Sequence, residues 1–390
     1  MAVALASCRP APPVGPPPPA PDADRVRADL PGRTFDFYRD ADGARTWTVA
    51  ADEVRRVEVV DTTAREGGVR VRARVVLVAP ARTVRGLLDL DYRRAGDGWR
   101  LAGVERAGGN FAVGDARFVL YDVVGVPSDS ARPDLLTLTA IARFQDGGWE
   151  GPLDAVRPRV RALLDSTVAD SLRTSALGRI AADLRRDWVP AGRGVRVWAP
   201  GRPPRTVTID SAQVSVDGCE FVVGWARSAA DAGALGSTSS ALGGSDVAAL
   251  SGREARALDR LARQRLAARG HDGGRVRSTG ALSADLDGDG TPELVGTYAV
   301  GASAPAAPTD APGVGVAVAA RMASDGARLL FERFSDDGFG EVSLVGVADL
   351  DADGAAETVL REEGYEAYRY RIVTRRAGRF ADAFLGGGGC

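Results

Sequence analysis

Two short acidic stretches carry the residues best suited to chemistry. DLDGDGTPEL, residues 285–294, places Asp285, Asp287, Asp289 and Glu293 at loop positions 1, 3, 5 and 9. DLDADGAAET, residues 349–358, repeats the arrangement with Asp349, Asp351, Asp353 and Glu357. Carboxylates at alternate positions of a tight turn can converge on one point. Glycine at position 6, Gly290 or Gly354, permits the bend, and the position 7 carbonyl, from Thr291 or Ala355, adds an oxygen. An all-oxygen donor set suits Ca2+, whereas a transition metal would call for His or Cys. Two copies with the same acidic positions argue against an incidental polar turn.

Other catalytic chemistry has little to work with. The single histidine, His271, follows the end of a predicted helix in ARGHDGG and reads as a solvated loop residue, so nucleophile–imidazole pairs are disfavoured. No catalytic residue is assigned. Acidic residues are plentiful, so an exported hydrolase using an Asp/Glu pair, such as a glycoside hydrolase, is the alternative functional reading. The formal net charge is −2 and every basic residue is Arg, spread along the chain rather than clustered. Nucleic acid is therefore not an expected partner.

The elements around the acidic loops are strand-like: RVRSTGALSA and ELVGTYAV flank the first, EVSLVGVA and ETVLR the second. An EF-hand would need helices on both sides and a Glu at position 12, where Gly296 and Leu360 stand instead. Over residues 275–384 the sequence resembles the FG-GAP or VCBS-type repeats of integrin-α-like propellers. Phe339 and Gly340 resemble the FG half of that motif. The resemblance implies a calcium ion of structural purpose at a strand junction. The two loops are 64 residues apart, about one four-stranded blade, and two blades cannot close a propeller. An open or sandwich-like domain of blade-like hairpins is expected.

At the amino terminus, Leu5, Ala6 and Ser7 before Cys8 resemble the lipobox of bacterial lipoproteins, and RPAPPVGPPPPAPDAD reads as a Pro-rich tether. The resemblance implies lipidation at Cys8 and a membrane anchor in the bacterial cell envelope. Either the start of translation lies upstream of Met1, or Cys8 is an incidental thiol. Cys219 and Cys390 form a candidate disulfide if the chain is exported, the tail LGGGGC being flexible enough to seek a partner, with two separate thiols as the other reading.

Hydrophobic residues at 45% and a length of 390 allow several domains, each with its own core. After residues 1–24, a small α+β domain is expected over 25–110. It opens on a helix in DADRVRADL and resembles cystatin or NTF2-like folds in architecture only. Val69, Val71, Ala73 and Val75 alternate there with Arg70, Arg72 and Arg74, predicting a sheet with a solvated arginine face. Residues 111–228 read as strands plus a helical pair, the second helix carrying Leu172, Leu177, Ile180 and Leu184. An Ala/Gly/Ser linker is expected over 229–249. The last domain, 250–390, opens on a helix with a Ser251–Glu254 capping box and a stripe of Leu258, Leu261, Ala262 and Leu266. The fold class is α+β, predominantly antiparallel β, multi-domain, with a carboxy-terminal repeat domain preceded by a helix. The expected function is that of an envelope lipoprotein with a calcium-stabilised repeat domain serving a binding, assembly or structural role, with a protein or glycan partner that the sequence does not name.

Overall fold

The computed structural model describes residues 18–390 except 41–42, 80–81, 97, 109–110, 116, 126–134, 146–147, 200–201, 229–233, 240–246, 272–275, 288–290, 301–312, 325, 336–338, 351–354 and 377. Cys8 thus lies outside the described residues. The chain divides into two compact units, residues 1–75 with 86–110, and residues 76–85 with 111–390.

The first unit begins with α1 (Ala23–Asp29), whose first turn is capped by Asp22 accepting the Arg25 N–H at 2.9 Å. A hairpin follows, β1 (Thr34–Asp40) with β2 (Gly43–Thr48), and then β3 (Val54–Arg65), β4 (Gly68–Ala79), β5 (Arg82–Ala95) and β6 (Gly98–Arg106), neighbours in that order. The alternation along β4 buries Val69, Val71, Ala73 and Val75. Its arginines are not a bare solvated face, which corrects the expectation. Arg70 makes two bonds of 2.7 Å to Asp91, and Arg72 bonds Asp89 at 2.9 and 3.0 Å. The reason is phase: β5 presents aspartates at the same two-residue period, so each guanidinium meets a carboxylate across the strands.

In the second unit β7 (Ala112–Asp115) pairs with residues 82–85 of β5. Then come β8 (Arg117–Gly125), β9 (Leu135–Gln145), β10 (Gly148–Glu150), α2 (Arg157–Leu164), α3 (Asp170–Trp188), β11 (Gly194–Trp198), β12 (Arg205–Thr208), β13 (Ser211–Ser215), β14 (Phe221–Arg227) and β15 (Ala234–Ser237). The strands form one sheet in the order β12-β11-β15-β8-β9-β14-β13, with β10 on β9. β15 falls inside the stretch expected as a linker. Its four residues are buried, and Gly236 leaves no room for a side chain beside Val123 and Val195. At Ala234–Ser237 the small residues reflect close strand packing, and the division between the two units does not fall at residues 229–249.

The remainder is α4 (Gly252–Ala268), then β16 (Val276–Ala284), β17 (Glu293–Val300), β18 (Val314–Ala323) and β19 (Gly326–Ser335) as one four-stranded antiparallel sheet. A second such sheet is β20 (Phe339–Ala348), β21 (Glu357–Gly364), β22 (Ala367–Arg376) and β23 (Arg379–Gly389). The capping box of α4 forms as expected, Ser251 Oγ accepting the Glu254 N–H at 3.3 Å while Glu254 accepts the Ser251 N–H at 2.8 Å.

Strand alternation turns these elements into layers. Leu177, Ile180, Leu184 and Trp188 of α3 cover one face of the long sheet against Val119, Tyr121 and Leu138. Its other face, through Phe118, Leu120 and Phe144, meets Val359, Tyr370 and Ile372 of the β20–β23 sheet. The neighbouring residues Leu360 and Val373 point the opposite way, into Val295, Ala317 and Ala319 of the β16–β19 sheet. Leu258, Ala262 and Leu266 of α4 close the far side on Leu294, Tyr298 and Val316. Both leucines are fully enclosed, worth about 2 kcal/mol each in removed apolar surface.

The tail LGGGGC is a packed strand end, not the flexible segment expected. Side chains at Gly387 and Gly388 would meet the carbonyl oxygens of Tyr368 and Glu220 at 2.0 and 2.1 Å, so only glycine fits. That close approach lets Glu220 donate its N–H to Gly389 O at 2.7 Å. It also brings Cys390 to Cys219, and the two form a disulfide with an Sγ–Sγ distance of 2.07 Å.

Candidate metal centre

The first acidic loop is closed by the Ala284–Glu293 pair at the end of the β16–β17 ladder, and the second by Ala348–Glu357 at the end of β20–β21. In both, the residue after the first aspartate is leucine, and Leu286 and Leu350 drop into the core. Each leucine fixes its loop to the sheet and aims its own N–H at the closing glutamate. Leu286 N donates to Glu293 Oε2 at 2.8 Å, and Leu350 N to Glu357 Oε2 at 2.7 Å. The two glutamates have no solvent exposure.

Carboxylate oxygens of Asp285, Asp287 and Glu293 lie within 4.8 Å of one another, a cluster that can hold a metal ion. Arg321, from the end of β18, reaches the same cluster: its Nε donates to Glu293 Oε1 at 2.8 Å and its Nη2 to Asp287 Oδ2 at 2.8 Å. Arg375 of β22 adds Nη1 to the Asp287 carbonyl at 3.3 Å. Burial pushes the Glu293 carboxyl above its ordinary range. Arg321 and the Leu286 N–H pull against that rise, and Asp287 adds to it. Donors that are all hard oxygens match calcium or magnesium chemistry better than zinc or copper. A cation here would share its oxygens with a guanidinium.

In the second loop Glu357 Oε1 accepts from Thr374 Oγ1 at 2.9 Å, and Asp349 pairs with Arg85. The loops also touch, since Ala356 N donates to the Asp285 carbonyl at 3.3 Å. Of the remaining expected ligands, Thr291 is exposed and Ala355 buried, while Asp289, Asp351 and Asp353 lie outside the described residues. Arg321, Thr374, Arg375 and Arg85 were missed in the sequence. Arg321 had a readable signal, because it is the one charged residue in the apolar strand VGVAVAARMA. Arg85 had none.

His271 donates its backbone N–H to Leu266 O at 3.0 Å, finishing α4. An open pocket of about 520 Å³ is lined by Thr206, Val207, Thr208, Asp210, Arg227 and Ser228. Asp210 is its one carboxylate, so it does not supply the acid pair a glycoside hydrolase would need. No described helix is long and apolar enough to cross a membrane.

The chain is a multi-domain α+β protein, predominantly antiparallel β, with an acidic cluster able to hold a metal ion. No family model matches the sequence, and no curated protein does. Among solved structures it is similar to the exotype rhamnogalacturonan lyase YesX, at 10% identity and a TM-score of 0.21, covering 84% of this chain and 50% of that one. It is similar also to the rhamnogalacturonan lyase YesW, at 10% identity and a TM-score of 0.19, covering 86% of this chain and 53% of that one. The chain spans about half the length of either lyase. Likeness at these scores transfers neither fold nor activity.

Proposed function

We propose that this chain is a cell-envelope lipoprotein, anchored through Cys8, whose paired acidic-loop sheets form a calcium-stabilised module of binding, assembly or structural role. The observation that carries the calcium reading is the convergence of Asp285, Asp287 and Glu293 within 4.8 Å at a strand junction. The repeated arrangement supports kinship with FG-GAP or VCBS-type blades. Each four-stranded sheet runs up and down in chain order, with its acidic loop joining the first strand to the second. In this reading Asp285, Asp287 and Glu293 hold the ion, and calcium supplies a fixed positive charge that pins the loop. The chain's own residues do the rest: Leu286 anchors the loop, its N–H orients Glu293, and Arg321 neutralises the carboxylates when calcium is low.

Export is supported by the Cys219–Cys390 disulfide, which belongs to an oxidising compartment. Calorimetric melting with calcium and with chelator tests the metal reading. A transition raised by calcium is expected, and one indifferent to both would end it. Incorporation of labelled lipid at Cys8, in cells expressing the gene with its upstream region, tests the anchor independently. The partner, a protein or a glycan, follows from a pull-down on the native envelope.

A further inference from the structure

Six large apolar side chains are exposed among the described residues, and three of them share one place: Leu164, Val168 and Leu172 are 47%, 38% and 64% exposed. Leu164 ends α2, Val168 lies in the connection, and Leu172 sits in the first turn of α3. Leu172 was expected to join the buried stripe with Leu177, Ile180 and Leu184. It does not: burial along α3 begins only at Leu177. The turn is held in shape by its own polar groups. Ser166 Oγ donates to Leu163 O at 2.7 Å, and Arg173 donates to the carbonyls of Ser166 and Val168 at 3.3 and 3.2 Å.

Exposed arginines flank this apolar tip along both helices. Arg159 and Arg161 are exposed on α2, one to two turns before Leu164. Arg179 lies on the same face of α3 as Leu172 and folds back along it, donating to Ser175 Oγ at 3.0 Å. The acidic residues of the stretch 159–179 are Asp165 and Asp170, and Asp170 is matched by Arg173 at 3.2 Å. With Arg159, Arg161, Arg173 and Arg179 the stretch is net basic.

We propose that the α2–α3 tip is a contact for anionic lipid, with Leu164, Val168 and Leu172 entering the headgroup boundary and Arg159, Arg161 and Arg179 meeting lipid phosphates. Size and charge select this occupant. Three side chains fall well short of the roughly 800 Å² per partner of a stable protein interface, whereas shallow insertion into a bilayer needs only a few. Two copies meeting tip to tip would bring the net basic stretches together, and like charges oppose that. The contact does not depend on the lipid-anchor reading, because it requires no acyl chain.

The test uses the full chain carrying Cys8→Ser, so that acylation cannot contribute. Sedimentation with phosphatidylglycerol-containing vesicles is expected to carry the protein down, and pure phosphatidylcholine vesicles are expected to leave it in solution. Leu164→Asp with Leu172→Asp is expected to weaken vesicle binding about tenfold or more. Arg159→Gln or Arg161→Gln is expected to weaken it roughly fivefold each, with a shallower salt dependence. Because these side chains are exposed, unchanged melting certifies that the variants fold. No binding to the anionic vesicles, or equal binding by parent and tip variants, would overturn the proposal. A tip variant that instead changed the oligomeric state would assign the surface to a second copy and overturn it as well.

Discussion

Arg321 faces Glu293 one residue beyond the Leu294–Ala320 pair, and Thr374 faces Glu357 at the matching place, one residue beyond Thr358–Val373. The two sheets thus build the same loop closure with a cation in one and a neutral hydroxyl in the other. If calcium binds at Asp285, Asp287 and Glu293, it competes with Arg321 for oxygen. Replacing Arg321 by Gln is expected to raise calcium affinity by at least about tenfold, because a like charge leaves the site. The same variant is expected to melt lower than the parent in chelator. Titration calorimetry and chelator melts check the two halves, and a loss of affinity would make Arg321 a support for the ion rather than its rival.

The disulfide closes a separation of 171 residues. Chain entropy for so long a loop gives about 5 kcal/mol, above the 2–4 kcal/mol usually measured. Cys390→Ser is expected to cost about 2–5 kcal/mol by denaturant unfolding. The parent treated with reductant should match it, and a variant as stable as the oxidised parent would show that the packed glycine strand holds the terminus unaided.

Asp122 of β8 is 4% exposed and accepts from Tyr370 Oη at 2.8 Å and Arg361 Nη1 at 3.1 Å. Burial raises its carboxyl above the ordinary value, with Arg361 and Tyr370 opposing the shift. Asp122→Ala leaves Arg361 without this counter-charge and is expected to cost about 3–5 kcal/mol. Asp122→Asn keeps an acceptor for Tyr370 without a charge to desolvate, so its loss is expected to be smaller. Urea unfolding of the two variants checks the order.

The ladder on β4 and β5 sets a pH dependence. Hydrogen bonds from Arg72 hold the Asp89 carboxyl below its ordinary 3.8, and those from Arg70 do the same for Asp91. A carboxyl depressed in the folded state stabilises fully above the unfolded value and loses that contribution as pH falls through the folded one. Melting temperature is therefore expected to be insensitive to this pair above about pH 5 and to decline below about pH 4. Asp89→Asn with Asp91→Asn should flatten the acid slope, and an unchanged slope would show that solvent screens the ladder.

The sequence by itself determined whatever depends on neighbours along the chain. The Ser251–Glu254 box needs three residues, strand alternation at Val69 to Val75 needs a period of two, and the acidic loops announce themselves within ten residues. Tertiary structure alone decided what surrounds those signals. The groups that meet the first loop come from 28 to 88 residues away, Arg321 from the neighbouring strand of the same sheet and Arg375 from the other four-stranded sheet. The same holds for the misread stretches. Glycine marks both a flexible tail and a backbone too crowded for a side chain, and only the neighbours of Gly236 and Gly387 tell the two apart. Leu172 follows the helical period faithfully yet lies exposed, because burial depends on what packs against the helix, and on α3 that begins only at Leu177.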